Sequence, residues 1–155
     1  MRLMNKIDLK KLTSIDDDFA LWAAEQGALL RAGKFDRVDL ENVIEELEDL
    51  GRSGKHEIRS RLEVLLTHLL KWHFQPDQQT NSWRATIREQ RSRITDVLEE
   101  SPSLRSLPGE ALARAYVIGL NDAITQTGLP ESAFPEACPY TIQQILDPDY
   151  LPGER

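Results

Sequence analysis

The segment from about residue 39 to residue 74 repeats apolar positions at steps of three and four, and this register constrains the fold more than any other feature. The positions concerned are 43, 47, 51, 54, 58, 62, 65 and 69. Such spacing places the side chains on one face of an α-helix, which is buried by packing against other helices. Gly51 and Gly54 fall on that face, although each glycine costs a helix interior about 1 kcal/mol relative to alanine. Because a turn would have no reason to preserve the register, the sequence predicts one long helix over about 39–74.

Three shorter helices are predicted beside the long one, over about 15–32, 82–100 and 108–127. The first begins where Ser14 and Asp17 resemble a capping box, and Gly33 follows its end. Asn81 or Ser82 caps the third helix in the chain. The segment after Gly128 holds five of the eight prolines, so it is expected to wrap the bundle irregularly, apart from a short helix over 142–146 capped by Thr141. The predicted fold is a single all-α domain spanning residues 1–155.

The net charge of −7 is unevenly distributed along the chain. Residues 36–50 sum to −6 and residues 51–93 to +5. An acidic total argues against general nucleic-acid binding. The alternation predicts that acidic and basic segments face each other within a chain or between chains, although solvated helix faces would give the same pattern.

The sequence carries no sign of export or membrane insertion. No apolar run approaches the roughly 18–20 residues needed to cross a bilayer, and the N-terminus has no apolar core of a secretory signal. Cys138 is the only cysteine, which rules out an internal disulfide and a multi-cysteine zinc site. A cytoplasmic location is expected.

The length of the predicted central helix has a consequence for assembly. A helix of about 35 residues is about 52 Å long at 1.5 Å per residue. That exceeds what one small domain covers, so we expect a second copy to meet part of its apolar face. A two-fold dimer is the commonest arrangement for such contacts.

Arg84, Arg88 and Arg91 recur at helical spacing on the predicted 82–100 helix, next to Trp83. Such a stripe can grip phosphates while the indole stacks on a base. Equally, the guanidinium groups can form bidentate ion pairs with carboxylates such as Glu63 or those of residues 41–49. The negative net charge of the chain favours this second interpretation. The predicted polar interaction cluster comprises His68, Trp72, Trp83, Arg84, Arg88, Arg91, Glu45 and Glu48.

His68 lies on the apolar side of the long helix, one turn before Trp72. Next to a carboxylate such as Glu63 or Glu89, it could act as a general base or bind a metal. His56 and His73 do not have the spacing that would place a second ligand on its face, and no Walker, dinucleotide-binding or nucleophile-elbow motif is present. The sequence therefore favours a hydrogen-bonded core histidine, with no cofactor and no metal site.

Four blocks of the chain resemble a family of bacterial proteins catalogued as domain of unknown function 29. The blocks are DLENVIEELEDLG at 39–51, RLEVLLTHLLKW at 61–72, SWRATIREQR at 82–91 and FPEACPY at 134–140. They occur in order across about residues 16–151. The resemblance implies an all-helical bacterial cytoplasmic protein, and it brings no activity, cofactor or catalytic residue.

These observations favour a non-enzymatic helical interaction or assembly protein that acts through self-association or a protein partner. The surfaces expected to carry this role are the acidic segment 41–49 and the arginine stripe. Two alternatives stay open at this point. One is a histidine- or metal-dependent enzyme centred on His68, and the other is a nucleic-acid-linked regulator that uses the arginine stripe.

Overall fold

A computed structural model describes residues 7–154, and within that range the chain forms five α-helices and no strand. They are α1 (Phe19–Arg31), α2 (Leu40–Phe74), α3 (Asn81–Glu100), α4 (Leu107–Thr127) and α5 (Ile142–Leu146). The predicted all-α bundle is confirmed, and α2 runs unbroken through both glycines. The chain divides into two compact units, of which the first ends at Gly51 and the second begins at Arg52. The expectation of a single domain stays a prediction.

In the first unit, α1 begins at Phe19 because the Asp18 carboxylate accepts a hydrogen bond from the Leu21 backbone N–H, at 3.0 Å. This acidic cap displaces the start predicted at Ser14, whose carbonyl instead accepts from the Asp17 N–H at 3.1 Å in a separate turn. Gly33 follows the helix with φ +70°, a conformation that glycine adopts without strain. The predicted end of α1 is therefore confirmed.

Asp39 joins α1 to the start of α2 through a polar network. Its carboxylate accepts from Trp22 Nε1 at 3.0 Å and from the Asn42 side-chain amide at 2.8 Å. Its own backbone N–H donates to Gln26 Oε1 at 2.7 Å. Hydrogen bonds from the Asn42 side chain, from Trp22 and from the Asn42 backbone outweigh desolvation and hold the pKa of Asp39 below its usual value. Asp39 thus serves as the N-terminal cap of α2, since its carboxylate also accepts from the Asn42 backbone N–H.

The first unit leaves half of its large apolar side chains exposed, eight of the sixteen within residues 7–51. Trp22 and Leu29 are its buried large hydrophobic residues in the described part of the chain, and Gly51 is exposed. The register placed Gly51 on the buried face, whereas it is exposed in the described chain. The expectation that a second copy covers part of this face stays a prediction. Among residues 7–154, eight of the ten exposed large hydrophobic residues belong to this unit: Phe19, Leu21, Leu30, Phe35, Leu40, Ile44, Leu47 and Leu50.

The second unit is built around the remainder of α2, whose apolar face is covered from Ile58 onward. Six of its side chains have no exposed surface: Ile58, Leu62, Leu65, Leu66, Leu69 and Leu70. The core continues into α3, α4, α5 and the C-terminal segment through Ile87, Ile94, Tyr116, Ala123, Phe134, Tyr140 and Ile145. Here the register predicted from the sequence gives the buried face correctly.

The close approach of α4 to α2 occurs at Gly119. A Cβ built there would lie 3.0 Å from Leu66 Cβ and 3.1 Å from the Glu63 carbonyl oxygen. Thr67 Oγ1 donates to the carbonyls of Glu63, at 2.9 Å, and Gly119, at 3.2 Å, so it links the two helices at this point. The absent side chain is what lets the two backbones come this close.

The starts of α3 and α4 each lie one residue before the predicted starts at 82 and 108, and the ends of both helices agree with prediction. The Thr80 hydroxyl accepts from the Trp83 N–H at 3.2 Å, so Thr80 caps α3 and the predicted caps lie inside the helix. Gly128, with φ +71°, ends α4 as predicted. Thr141 and Gln144 form a capping box at α5, which confirms the short helix.

Candidate functional site

Arg91 is buried, with 4% of its surface exposed, and it holds the C-terminal segment against α3. Its Nε donates to the Ile145 carbonyl at 2.7 Å, and its Nη2 donates to the Gln144 carbonyl at 3.3 Å. Desolvation lowers its pKa, and the charges of Asp147 and Tyr150 partly offset that effect. The partners are therefore backbone carbonyls near the end of α5, where the helix dipole is negative, rather than the predicted carboxylates.

Two reciprocal contacts between cations and indole rings join the end of α2 to the start of α3. Lys71 Nζ lies 4.5 Å from the centre of the Trp83 ring, and Arg84 Cζ lies 5.2 Å from that of Trp72. Lys71 Nζ also donates to Gln126 Oε1 at 3.0 Å, and desolvation lowers its pKa. The sequence singled out Trp72, Trp83 and Arg84 but missed Lys71. Lys71 directly precedes Trp72 at the end of α2, just as Arg84 directly follows Trp83 at the start of α3. This repeated pairing of a cation with a tryptophan could have identified Lys71 from the sequence.

The arginine stripe borders a shallow groove of about 230 Å³ between α3 and the C-terminal segment. Arg88 is exposed beside it, and Arg84 Nη2 lies 3.9 Å from Glu154 Oε1, a distance for a weak ion pair rather than a hydrogen bond. The groove is lined by Arg84, Ile87, Arg88, Arg91, Pro148, Asp149, Leu151 and Glu154. Because two carboxylates share the groove with the arginines, it does not present the uniformly positive surface that suits a phosphate backbone.

His68 is half-buried, and its Nδ1 hydrogen-bonds to the Val64 carbonyl one turn earlier, at 2.9 Å. Desolvation, together with the charge of Lys71, lowers its pKa, and the bond to Val64 only partly opposes this. The neutral imidazole is therefore favoured near pH 7. Its hydrogen bond goes to its own helix rather than to Glu63 or Glu89. Across residues 7–154, no group of three or more His, Cys, Asp or Glu side chains is placed to hold a metal ion.

Glu45 and Glu48 lie on the exposed surface of α2, together with Glu41. Each follows an exposed apolar residue by one position, so the three carboxylates form a line along the helix beside Leu40, Ile44 and Leu47. Of the predicted cluster, Glu45 and Glu48 belong to the first unit. His68, Trp72, Trp83 and the arginines belong to the second unit, where Trp72, Trp83 and Arg84 meet at the junction of α2 and α3. The cluster as a whole stays a prediction.

The family described as domain of unknown function DUF29 has a model that matches residues 15–151. The chain belongs to this family. The family description names no activity, so it does not choose among the functions that the sequence left open. No curated protein and no solved structure matches the chain significantly. Within residues 7–154, none of the helices is both long and apolar enough to cross a membrane.

Proposed function

We propose that this DUF29 protein is a non-enzymatic helical interaction protein of the bacterial cytoplasm that self-associates through its first unit. The observation that carries the proposal is the concentration of exposed apolar side chains between residues 19 and 50. Exposed apolar surface of this extent marks protein–protein contact sites in soluble proteins. The centre of the proposed contact is the first three turns of α2.

Leu40, Ile44 and Leu47 supply the apolar stripe at that centre, with 61%, 45% and 66% of their surfaces exposed. They recur at steps of four and three, so they lie on one face of the helix. Covering a leucine or isoleucine side chain completely is worth about 1.5–3 kcal/mol relative to full exposure. Three such side chains from each of two copies therefore contribute several kcal/mol, enough to offset part of the entropy lost on association.

The arginine stripe and His68 give the two alternatives less support. Arg91 is committed to the carbonyls near the end of α5, and Arg84 lies between Trp72 and Glu154. His68 is hydrogen-bonded along its own helix. These contacts stabilise the second unit, and each is accounted for without a nucleic acid or a substrate.

The proposal is tested by measuring the sedimentation velocity of the full chain over a range of protein concentrations. We expect the wild type to self-associate and Leu47→Ser to raise the dissociation constant by about tenfold or more, since about 1.4 kcal/mol corresponds to a factor of ten. Leu47 is exposed, so the substitution leaves the free energy of unfolding of the monomer within about 0.5 kcal/mol.

Val117→Ser is the matched control, because Val117 is 57% exposed on α4 in the second unit. It removes a comparable exposed apolar side chain away from the proposed surface, and it should leave the dissociation constant unchanged. A wild type that sediments as a monomer at every concentration would refute the proposal, as would equal effects of the two substitutions.

A further inference from the structure

A cavity of about 250 Å³ opens between α2 and α4 in the second unit. Every residue that lines it follows Gly51, so the whole cavity belongs to that unit. Its charged lining residues come in pairs from the two helices: Arg59, Glu63, Glu110 and Arg114. Two of them are cations and two are anions, so the cavity carries no net charge.

The two helices run side by side in the same direction along this cavity. Ile58 and Leu107 belong to one buried cluster, and further along both helices the Glu63 carbonyl oxygen would lie 3.1 Å from a Cβ at Gly119. On α2 the lining cation precedes the lining carboxylate by four residues, and on α4 the order is reversed. A cation of one wall is therefore level with a carboxylate of the other.

The charged side chains of the cavity are not used up by contacts within the chain. Within residues 7–154, none of the four forms an ion pair or a hydrogen bond. The same helix does form such a pair where the order of charges is favourable, since Arg61 Nε lies 2.8 Å from Glu57 Oε1. A carboxylate placed before a cation at this spacing is the better orientation, and Arg59 and Glu63 have the reverse. Their hydrogen-bonding capacity is therefore open to a bound molecule.

The apolar part of the lining is short and partly made of small side chains. It consists of Leu107, Ala111 and Ala115, of which the first and last are buried. A cavity of about 150 Å³ holds benzene, which has six heavy atoms. By that comparison, about 250 Å³ accommodates a molecule of roughly ten heavy atoms, with room for a short aliphatic group against the alanines.

We propose that this cavity binds a small zwitterion of the class of free aliphatic amino acids. Arg59 and Arg114 are the donors for its carboxylate, a group that the guanidinium fork matches in shape. Glu63 and Glu110 are the acceptors for its ammonium group. A ligand that carries one charge would meet the two groups of its own sign without compensation, and like charges brought together disfavour binding. The inference goes beyond the proposed function and does not depend on self-association.

The test is a titration of the ¹⁵N-labelled full chain with L-leucine, followed by nuclear magnetic resonance of the backbone amides. Leucine has nine heavy atoms, and we expect a dissociation constant of about 1 mM or lower in low salt. The amide shifts should be concentrated in residues 58–64 and 107–115, which form the two walls. A higher salt concentration should weaken binding, because exposed charges are screened.

Two analogues of leucine test the requirement for both charges. 4-Methylpentanoate lacks the ammonium group, and 3-methylbutylamine lacks the carboxylate. Each loses charge-assisted hydrogen bonds on one side of the site, so each should bind about tenfold more weakly than leucine or worse.

Three variants test the assigned residues. Arg114→Gln and Glu63→Gln should each raise the dissociation constant for leucine by about tenfold or more. Ala111→Leu should abolish binding, because the larger side chain fills the cavity. Arg93→Gln is the matched control, since Arg93 is exposed on α3 outside the cavity and its loss changes the net charge as Arg114→Gln does. It should leave the affinity for leucine unchanged.

Each outcome decides for or against the site. Localised shifts that both analogues fail to reproduce, and that the three variants weaken, support it. The absence of shifts up to about 20 mM leucine overturns it, because binding that weak is far below the expected affinity. Shifts in other parts of the chain, or analogues that bind as well as leucine, also overturn it. A wild type that stays monomeric removes the proposed function and leaves this site standing, whereas failure to bind leucine leaves self-association untouched.

Discussion

Gly119→Ala is the substitution that most directly tests how α4 packs on α2. The new methyl group would lie 3.0 Å from Leu66 Cβ, 3.1 Å from the Glu63 carbonyl oxygen and 3.3 Å from the Thr67 amide nitrogen. Two of these three neighbours are backbone atoms of a buried helix, which cannot move aside as a flexible side chain does. The helices have to separate, and the hydrogen bond from Thr67 Oγ1 to the Gly119 carbonyl lengthens as they do.

The magnitude follows from three opposing contributions. Overpacking a buried site costs about 1–3 kcal/mol, and weakening a buried hydrogen bond costs up to about 1 kcal/mol. Alanine regains about 1 kcal/mol of helix propensity relative to glycine. We therefore expect Gly119→Ala to lower the free energy of unfolding by about 1.5 kcal/mol, the middle of the range that these contributions give.

Urea unfolding, followed by tryptophan fluorescence and far-UV circular dichroism, measures this change. Gly109→Ala is the matched control, because Gly109 lies in the same helix and a Cβ there meets nothing within 4 Å. The control should be neutral or stabilising by up to about 1 kcal/mol. If Gly119→Ala proved as stable as Gly109→Ala, with an unchanged denaturant slope, the close approach of the two backbones would not be what glycine is required for.

Two further predictions concern polar contacts inside each unit. Arg91→Met should lower the stability of the second unit by about 2–3 kcal/mol, because two carbonyls lose charge-assisted hydrogen bonds. Amide hydrogen exchange in Arg91→Met should be faster than in the wild type over residues 141–154. Faster exchange spread evenly over all helices would contradict a specific role for the bonds from Arg91 to this segment. Asp39→Ala should cost about 1 kcal/mol through loss of the cap of α2. Because the folded pKa of Asp39 lies below its usual value of 3.8, its contribution is present above that pH and is lost as the pH falls through the folded pKa. The free energy of unfolding, measured by urea titration, should therefore fall further for the wild type than for Asp39→Ala between pH 5 and pH 2. If both proteins lost the same amount over this range, the low pKa of Asp39 would not contribute to stability.

The helices could be predicted largely from the sequence because their signals are local. The continuity of α2 followed from a register that two glycines did not interrupt, and the Thr141 capping box identified α5. The start of α1 was misplaced because Ser14 and Asp18 both precede suitable turns, and the sequence alone did not decide which side chain would reach a backbone N–H. Such choices depend on hydrogen-bond geometry over a few residues.

What covers each apolar face could not be predicted from the sequence. Register shows that Leu47 and Leu62 are both on apolar positions of α2, but it does not say that the first is exposed and the second buried. The partners of Arg91 were likewise missed, since Gln144 and Ile145 follow it by 53 and 54 residues and a backbone carbonyl carries no sequence signature. The sequence pattern therefore predicted which residues form each candidate surface. It did not predict which other residues contact them, because those contacts depend on the three-dimensional fold.

The dependence of Arg91 on those late carbonyls has a consequence for biosynthesis. As the polypeptide leaves the ribosome, α2 and α3 emerge well before residues 144 and 145. Until then the guanidinium group has to stay hydrated, because a buried cation without acceptors is strongly unfavourable. The second unit therefore cannot seal its interior around α3 during translation until residues 144 and 145 have been synthesised.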